Sequence, residues 1–231
     1  PCGECGIILN FLIYSFLNFI IMAKFDSYLL GKVSKTLGNV TMCYMNKQNI
    51  ARARIFSRKD KPTSDVLDQR ARMKVLIELS RFLLPVVQKG FVGIGNGTTS
   101  NAFVAKNMKS VDVDEMHTAT VDYERLKVAM GLQDIPEVSV SYSSESKMYS
   151  FEQEMLEEEN GFALADDLVY AVLFESVLMR VKLISLRSRG ENGNTSVGLP
   201  KNWEQANVKV YCFATSKNGK SISPSLYLAV E

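Results

Sequence analysis

Hydrophobic positions along the chain repeat at two spacings, and the changes between them mark its organisation. Between 39 and 56 the spacing is two. The run NVTMCYMN (39–46) is rich in β-formers, and Lys47, Gln48 and Asn49 offer a turn. In IARARIF (50–56), Arg52 and Arg54 alternate with Ala51, Ala53 and Ile55. Period two sends successive side chains to opposite faces, so the pattern predicts a β-hairpin with one cationic face. SRKDKP (57–62) follows as a charged connector.

From Thr63 or Ser64 the spacing becomes three or four. Leu67, Ala71, Val75, Leu79 and Phe82 then share one helical face, with Arg70, Lys74 and Arg81 toward the other side. Ser64, Asp65 and Asp68 supply a capping residue and an acidic first turn, which suit the positive end of a helix dipole. Pro85 should kink or break this helix, because it lacks an N–H and its ring clashes with the preceding turn. Val86 and Val87 continue as a second short helix to Gly90. GIGNGTTS (93–100) reads as a loop, and Thr99 or Ser100 as the cap of a short helix over 101–109.

From about 118 the character changes to β: 121–128 and 138–144 alternate, and 147–153, 168–174, 180–186, 194–199, 208–216 and 223–230 read as further strands. Asn218-Gly219 is the strongest hairpin signal. No βαβ alternation appears. The pattern therefore predicts an α+β protein: an N-terminal β-hairpin plus helices (22–117), followed by a C-terminal antiparallel immunoglobulin/fibronectin-III-like β-sandwich (118–231). Val169, Val172, Phe174, Val210, Phe213 and Leu226 are the expected sandwich core, and Trp203 is expected to pack at a sheet end.

Composition changes this picture little; charge changes it more. The 231 residues are 46% hydrophobic and 23% charged, ordinary for a globular chain. Residues 22–110 carry 16 Lys+Arg against 5 Asp+Glu, a net of +11. Residues 111–231 carry 11 against 19, a net of −8. The formal total of +2 hides a dipolar protein, and such asymmetry speaks to association and partners rather than to fold. The basic residues concentrate in 24–61, which hold nine Lys+Arg and two Asp.

The segment 7–21 is apolar but shorter than the ~20 residues of a membrane span. It lacks both a basic flank and a cleavage motif. We read 1–21 as translated upstream sequence or a vestigial signal, with the start at Met22 and a cytoplasmic product; a virion or cell-surface location is the alternative. No membrane association is expected unless 7–21 is an anchor.

Candidate chemistry is sparse. His117 is the single histidine and reads as an exposed linker residue, not a catalytic base. Cys2 and Cys5 form C-x-x-C with no second pair, so no metal site is expected, and Cys43 and Cys212 sit in strand-like runs as small apolar residues. Gly93, Gly95 and Gly97 follow a helix and lack the strand that a dinucleotide loop requires. Glu152, Glu154, Glu157, Glu158 and Glu159 have no calcium-loop spacing and read as a solvated loop. No catalytic residue, cofactor or metal is assigned. The residues singled out for interaction are Arg52, Arg54, Arg58, Lys59 and Lys61 on the basic side, with Glu157, Glu158 and Glu159 on the acidic side.

One resemblance adds to this reading. Gly31, Val33, Gly38, Asn39 and Val40, then Ala51-Arg52-Ala53-Arg54, are similar to the opening of an uncharacterised domain-of-unknown-function family of Bacteroidota and their phages. Pro62, Thr63, Gln69 and Arg70 resemble its helix entry, Phe82-Leu83-Leu84-Pro85 and Gly90-Phe91 its helix end, and Leu199-Pro200, Trp203, Val210–Phe213 and Ser223–Tyr227 its final strands. The family brings no activity or cofactor. It implies the same architecture and a non-enzymatic role. The expected function is a structural or protein-interaction module, self-assembling or part of a phage or surface assembly. A nucleic-acid-associated protein using 24–61 is the alternative, with Tyr44 or Phe56 stacking on bases.

Overall fold

The structure is a computed structural model and describes residues 22–45, 47–54, 56, 61–95 and 97–230. Residues 1–21, with Cys2 and Cys5, lie outside the described residues. The chain divides into two compact units, one ending at Lys61 and the other starting at Pro62.

The first unit is a four-stranded antiparallel sheet of β1 (Met22–Phe25), β2 (Lys35–Leu37), β3 (Val40–Met45) and β4 (Gln48–Ala53), in the order β1-β4-β3-β2. Gly38-Asn39 forms a two-residue turn between the paired Leu37 and Val40. The expected hairpin is β3–β4, but Gln48 and Asn49 belong to the strand and not to the turn, since Met45 pairs with Gln48 and Tyr44 with Asn49. The reason is the Asn49 amide. It accepts a hydrogen bond from the Val33 N–H (3.0 Å) and donates one to the Gly31 carbonyl (2.9 Å), which ties the 31–33 loop to the sheet. Among the described residues of this unit, only Asn49 and Ile50 are buried.

The second unit begins with α1 (Ser64–Phe82), α2 (Leu84–Gly90) and α3 (Thr99–Asn107), followed by a small hairpin of β5 (Val111–Val113) and β6 (Ala119–Val121). The break at Pro85 is as predicted: α1 ends at Phe82, and Pro85 sits in the first turn of α2, where its missing N–H costs nothing. The helix cap falls one residue before the expected position, at Thr98, whose hydroxyl accepts from the Asn101 N–H. In α1 the buried residues are Leu76, Leu79 and Ser80; Phe82, expected in the apolar face, is exposed.

Two antiparallel sheets complete the unit. One holds β7 (Val138–Ser143), β8 (Met148–Gln153) and β11 (Gly193–Gly198), in the order β11-β8-β7. The other holds β9 (Leu168–Glu175), β10 (Arg180–Ser188), β12 (Val208–Thr215) and β13 (Leu226–Leu228), in the order β10-β9-β12-β13. Alternation on β9 and β12 places the layers. Val169, Ala171, Leu173, Val210, Cys212 and Ala214 share a core with Val138, Val140, Tyr149 and Phe151 of the three-stranded sheet. Tyr170, Val172, Phe174, Tyr211 and Phe213 share another with Leu76, Leu79, Leu83, Val86, Phe91 and Phe103 of the helical segment. The fold is thus α+β, with helices on one face of a central sheet and a second sheet on the other. The residue pattern alone groups the helices with the basic hairpin in 22–117. Their apolar faces instead complete the core of the second unit, which is why that unit starts at Pro62.

Five of the six predicted core residues are buried, divided between the two faces; Leu226, near the end of the sheet, is 40% exposed. The expected strand over 121–128 is absent beyond Val121. The Asp122 carboxylate accepts from the Glu124 and Arg125 N–H groups and turns the chain, and the Arg125 guanidinium holds its carboxyl below the usual range. The buried stretch that follows is satisfied by side chains instead of a sheet partner. Asn107 accepts from the Lys127 N–H (2.7 Å) and donates to its carbonyl (2.9 Å), and Ser225 accepts from the Val128 N–H. Among the described residues, no helix is long and apolar enough to cross a membrane.

Candidate functional site

The basic residues of the first unit are displayed by its sheet. Registration of Arg52 with Met22 and Thr41, and of Ile50 with Lys24 and Cys43, puts Arg52 and Lys24 on one face. The opposite face carries Leu37, Val40 and Tyr44, all exposed, beside Ala51 and Ala53. Arg54 follows β4, its N–H bonded to the Asn39 carbonyl (2.8 Å) and its guanidinium 5.1 Å from the centre of the Phe56 ring. The Lys32 ammonium lies 5.2 Å from the Tyr44 ring. Arg52, Arg54 and Lys61 are exposed, and among the described residues none is in an ion pair. Arg58 and Lys59 lie outside the described residues.

The acidic residues belong to the long loop between β8 and β9 in the second unit. Glu159 is used within it, accepting from the Ala165 N–H (2.8 Å). Glu157 and Glu158 instead line a cavity of about 390 Å³, together with Glu137, Glu154, Asp134 and the apolar Ile135, Pro136, Met155, Leu156 and Val169. Gln153 and Arg189 line it as well. The structure therefore joins two of the three predicted acids to three not singled out for interaction.

Beneath this rim is a buried polar network. The Arg189 side chain is 4% exposed and that of Asp167 fully buried, with Nε and Oδ2 3.5 Å apart. Arg189 Nε makes no hydrogen bond, the guanidinium donates instead to the Asp134 carbonyl (2.7 Å), and Gln133 donates to both Asp167 oxygens (3.2 Å each). Burial lowers the Arg189 pKa, with Asp167 and Asp134 opposing the shift. Gln153 donates to the carbonyls of Ser188 (2.7 Å) and Glu191 (3.2 Å), which fixes its amide and leaves Oε1 without a partner. Close backbone approach holds the loop in place: the Gly190 N–H bonds to the Ala165 carbonyl, and a Cβ at Gly190 would meet that of Ala165 at 2.8 Å.

Sequence reasoning did not find this network. Arg189 follows a run read as an alternating strand, but the register of β10 shifts between Ser185 and Ser188. A bulge re-aims the side chains beyond it, and nothing in the residue pattern announces one.

The remaining candidates resolve simply. His117 is half-buried rather than an exposed linker residue: its Nδ1 lies 2.5 Å from Asp68 Oδ1, tying the β5–β6 hairpin to α1. Gly93 and Gly95 occupy a loop between α2 and α3 with positive φ. Cys212 is buried, its thiol pushed up to about 12, while Cys43 is half-buried. Among the described residues no group of three or more His, Cys, Asp or Glu could hold a metal ion.

Comparison with known proteins bears on the whole arrangement. Neither curated proteins nor solved structures provide a match. A family model described as "Family of unknown function (DUF6266)" matches residues 31–229, taking in most of the basic sheet and nearly all of the second unit. The chain belongs to this family of unknown function, DUF6266.

Proposed function

We propose that the protein is a non-enzymatic interaction module that assembles with copies of itself, as a component of a phage or surface assembly. The observation that carries this reading is the set of exposed apolar side chains on the sheet of the first unit, among the described residues. Isolated sheets need a covered apolar face to be stable. Here Leu37 (73% exposed), Val40 and Tyr44 share a face on which no apolar residue is buried among the described residues, while Arg52 and Lys24 occupy the other. Exposed apolar surface beside unpaired cations is what an interface offers before its partner arrives.

Charge supplies the complement. Residues 24–61 have a net of +7, and residues 62–231 carry 18 Lys+Arg against 22 Asp+Glu, a net of −4. Arg52, Arg54 and Arg58 of one copy pair with Glu157, Glu158 and neighbouring acids of the next, and the apolar face is buried alongside. Contact between unlike surfaces closes into a ring or grows as a filament. The finer fold reading, an immunoglobulin/fibronectin-III-like sandwich, is supported by the seven strands β7–β13 in a three-stranded and a four-stranded sheet around one core. Its helix-covered outer face is a departure.

Light scattering on the full chain and on an Arg52→Glu/Arg54→Glu variant tests the assembly. The variant should dissociate at concentrations where the parent is oligomeric; equal masses for both would sink the proposal. A second reading rests on the exposed Tyr44 and Phe56, each with a cation beside its ring, which suit single-stranded nucleic acid. It requires nucleic-acid binding that weakens steeply with salt.

A further inference from the structure

We infer that the cavity between β8 and the following loop is a receptor for an arginine side chain, supplied by the Ala51–Arg54 segment of a second copy. This rests on the assembly reading and names its acidic partner site.

Three observations point to a guanidinium. The first is charge. Asp134, Glu137, Glu154, Glu157 and Glu158 line the cavity, and among the described residues none of these four glutamates is in an ion pair. Among the described residues the one cation in the wall is Arg189, whose charge the buried Asp167 carboxylate balances at 3.5 Å and whose guanidinium donates to the Asp134 carbonyl, although its Nε has no hydrogen-bond partner, so five acids face one balanced cation. The cavity therefore presents net negative potential, which low-dielectric walls focus.

The second is an orphan acceptor. Gln153 is 4% exposed and lines the cavity. Its two carbonyl partners consume the amide hydrogens, so the atom left over is an oxygen, and it has no donor. Leaving a buried polar atom unpaired is unfavourable, because it has lost water and gained no donor. A donor-rich ligand removes that cost with a small adjustment of the amide, and an acceptor-only ligand does not.

The third is shape. Ile135, Pro136, Met155, Leu156 and Val169 give the cavity apolar walls, suited to the three methylenes of an arginine whose head group reaches the carboxylates. About 390 Å³ accommodates one such side chain with part of its backbone. Arginine suits the site better than lysine, because its planar fork presents five donors and pairs bidentately with carboxylates. On the donor side, Arg52 and Arg54 stand exposed and separated by one alanine, so one can enter a cavity while the strand carrying it stays outside.

The test uses the full-length Arg52→Glu/Arg54→Glu variant as receptor, so that its own strand does not compete. It is titrated calorimetrically with the capped peptide Ala-Arg-Ala-Arg and with the same peptide carrying citrulline, which keeps the shape and loses the charge. The arginine peptide should bind one per chain, and citrulline should weaken binding at least about tenfold. Adding Glu154→Gln and Glu157→Gln to the receptor, at exposed positions where folding is undisturbed, should weaken the arginine peptide by a similar factor. No binding, or equal binding in either comparison, overturns the inference. Light scattering on the parent chain separates the two claims. An oligomer with no peptide binding ends the cavity assignment and leaves assembly standing. A monomer whose variant binds the peptide overturns the second copy as the source and ends the assembly reading.

Discussion

The two units of this protein solve the problem of covering a sheet in opposite ways. In the second, β9 and β12 are buried on both faces, by helices on one side and a second sheet on the other, and nearly every residue of each strand is inaccessible. In the first, a sheet that also has four strands buries Ile50 and Asn49 among its described residues and leaves large apolar side chains in solvent. Hydrophobic stabilisation scales with the area removed from water, so the second unit holds its own fold and the first has most of that gain still to collect. By this contrast the basic sheet holds apolar surface still to be buried, and the acidic loop of the closed unit borders a cavity lined by Gln153 with its unsatisfied acceptor.

This difference can be broken or sharpened by experiment. The largest effect belongs to the closed unit. Phe213 is fully buried in the helix-facing core, and Phe213→Ala should cost about 3–5 kcal/mol, seen as a lowered urea midpoint. A loss below about 1 kcal/mol would mean that the central sheet is not the core described here.

The pH dependence should follow the same unit. Burial raises the Tyr149 phenol and the Cys212 thiol each to about 12, and the Tyr211 phenol further in the same direction. These groups are neutral when protonated, and their unfolded values are about 8.5 for the thiol and 10 for the phenols. Folded values above unfolded ones mean that stability is fully present below about pH 8.5 and is lost as pH rises toward about 12. Urea midpoints measured from pH 7 to 11 should stay level and then fall. A level profile through pH 11 would contradict the burial of these groups.

The smallest effect on stability is expected in the open unit. Leu37 is 73% exposed, so Leu37→Ser should change stability by less than about 0.5 kcal/mol while weakening association. Unchanged association would remove the apolar face from the interface.

What the sequence disclosed follows from which forces act locally. The Pro85 break, the β3–β4 hairpin and the strands β7–β12 were legible, because proline chemistry and period two are local. The 122–128 segment alternates like a strand, yet Asp122 turns it and Asn107 and Ser225 occupy the backbone groups that a neighbouring strand would have filled. Those partners are distant in sequence, so alternation could not exclude them. The basic residues of the candidate interface were visible as charge. The cavity was half-visible: Glu157 and Glu158 stood out as an acidic run, whereas Gln153 and Arg189 meet only through a bulge in β10 and the fold of the loop. Likewise, Tyr170, Val172 and Phe174 are apolar on both readings of the strand, and only the helices show which face they serve.

The central claim is that the open basic sheet is an interface for a second copy. The most direct test is light scattering on the full chain as it leaves a sizing column, at low and at high salt, with the absorbance ratio recorded. The account predicts an oligomer at low salt that dissociates at high salt and carries no nucleic acid, since screening weakens pairing between exposed charges. A monomer at both salts would contradict self-assembly, and nucleic acid co-eluting with the protein would transfer the basic sheet to that partner.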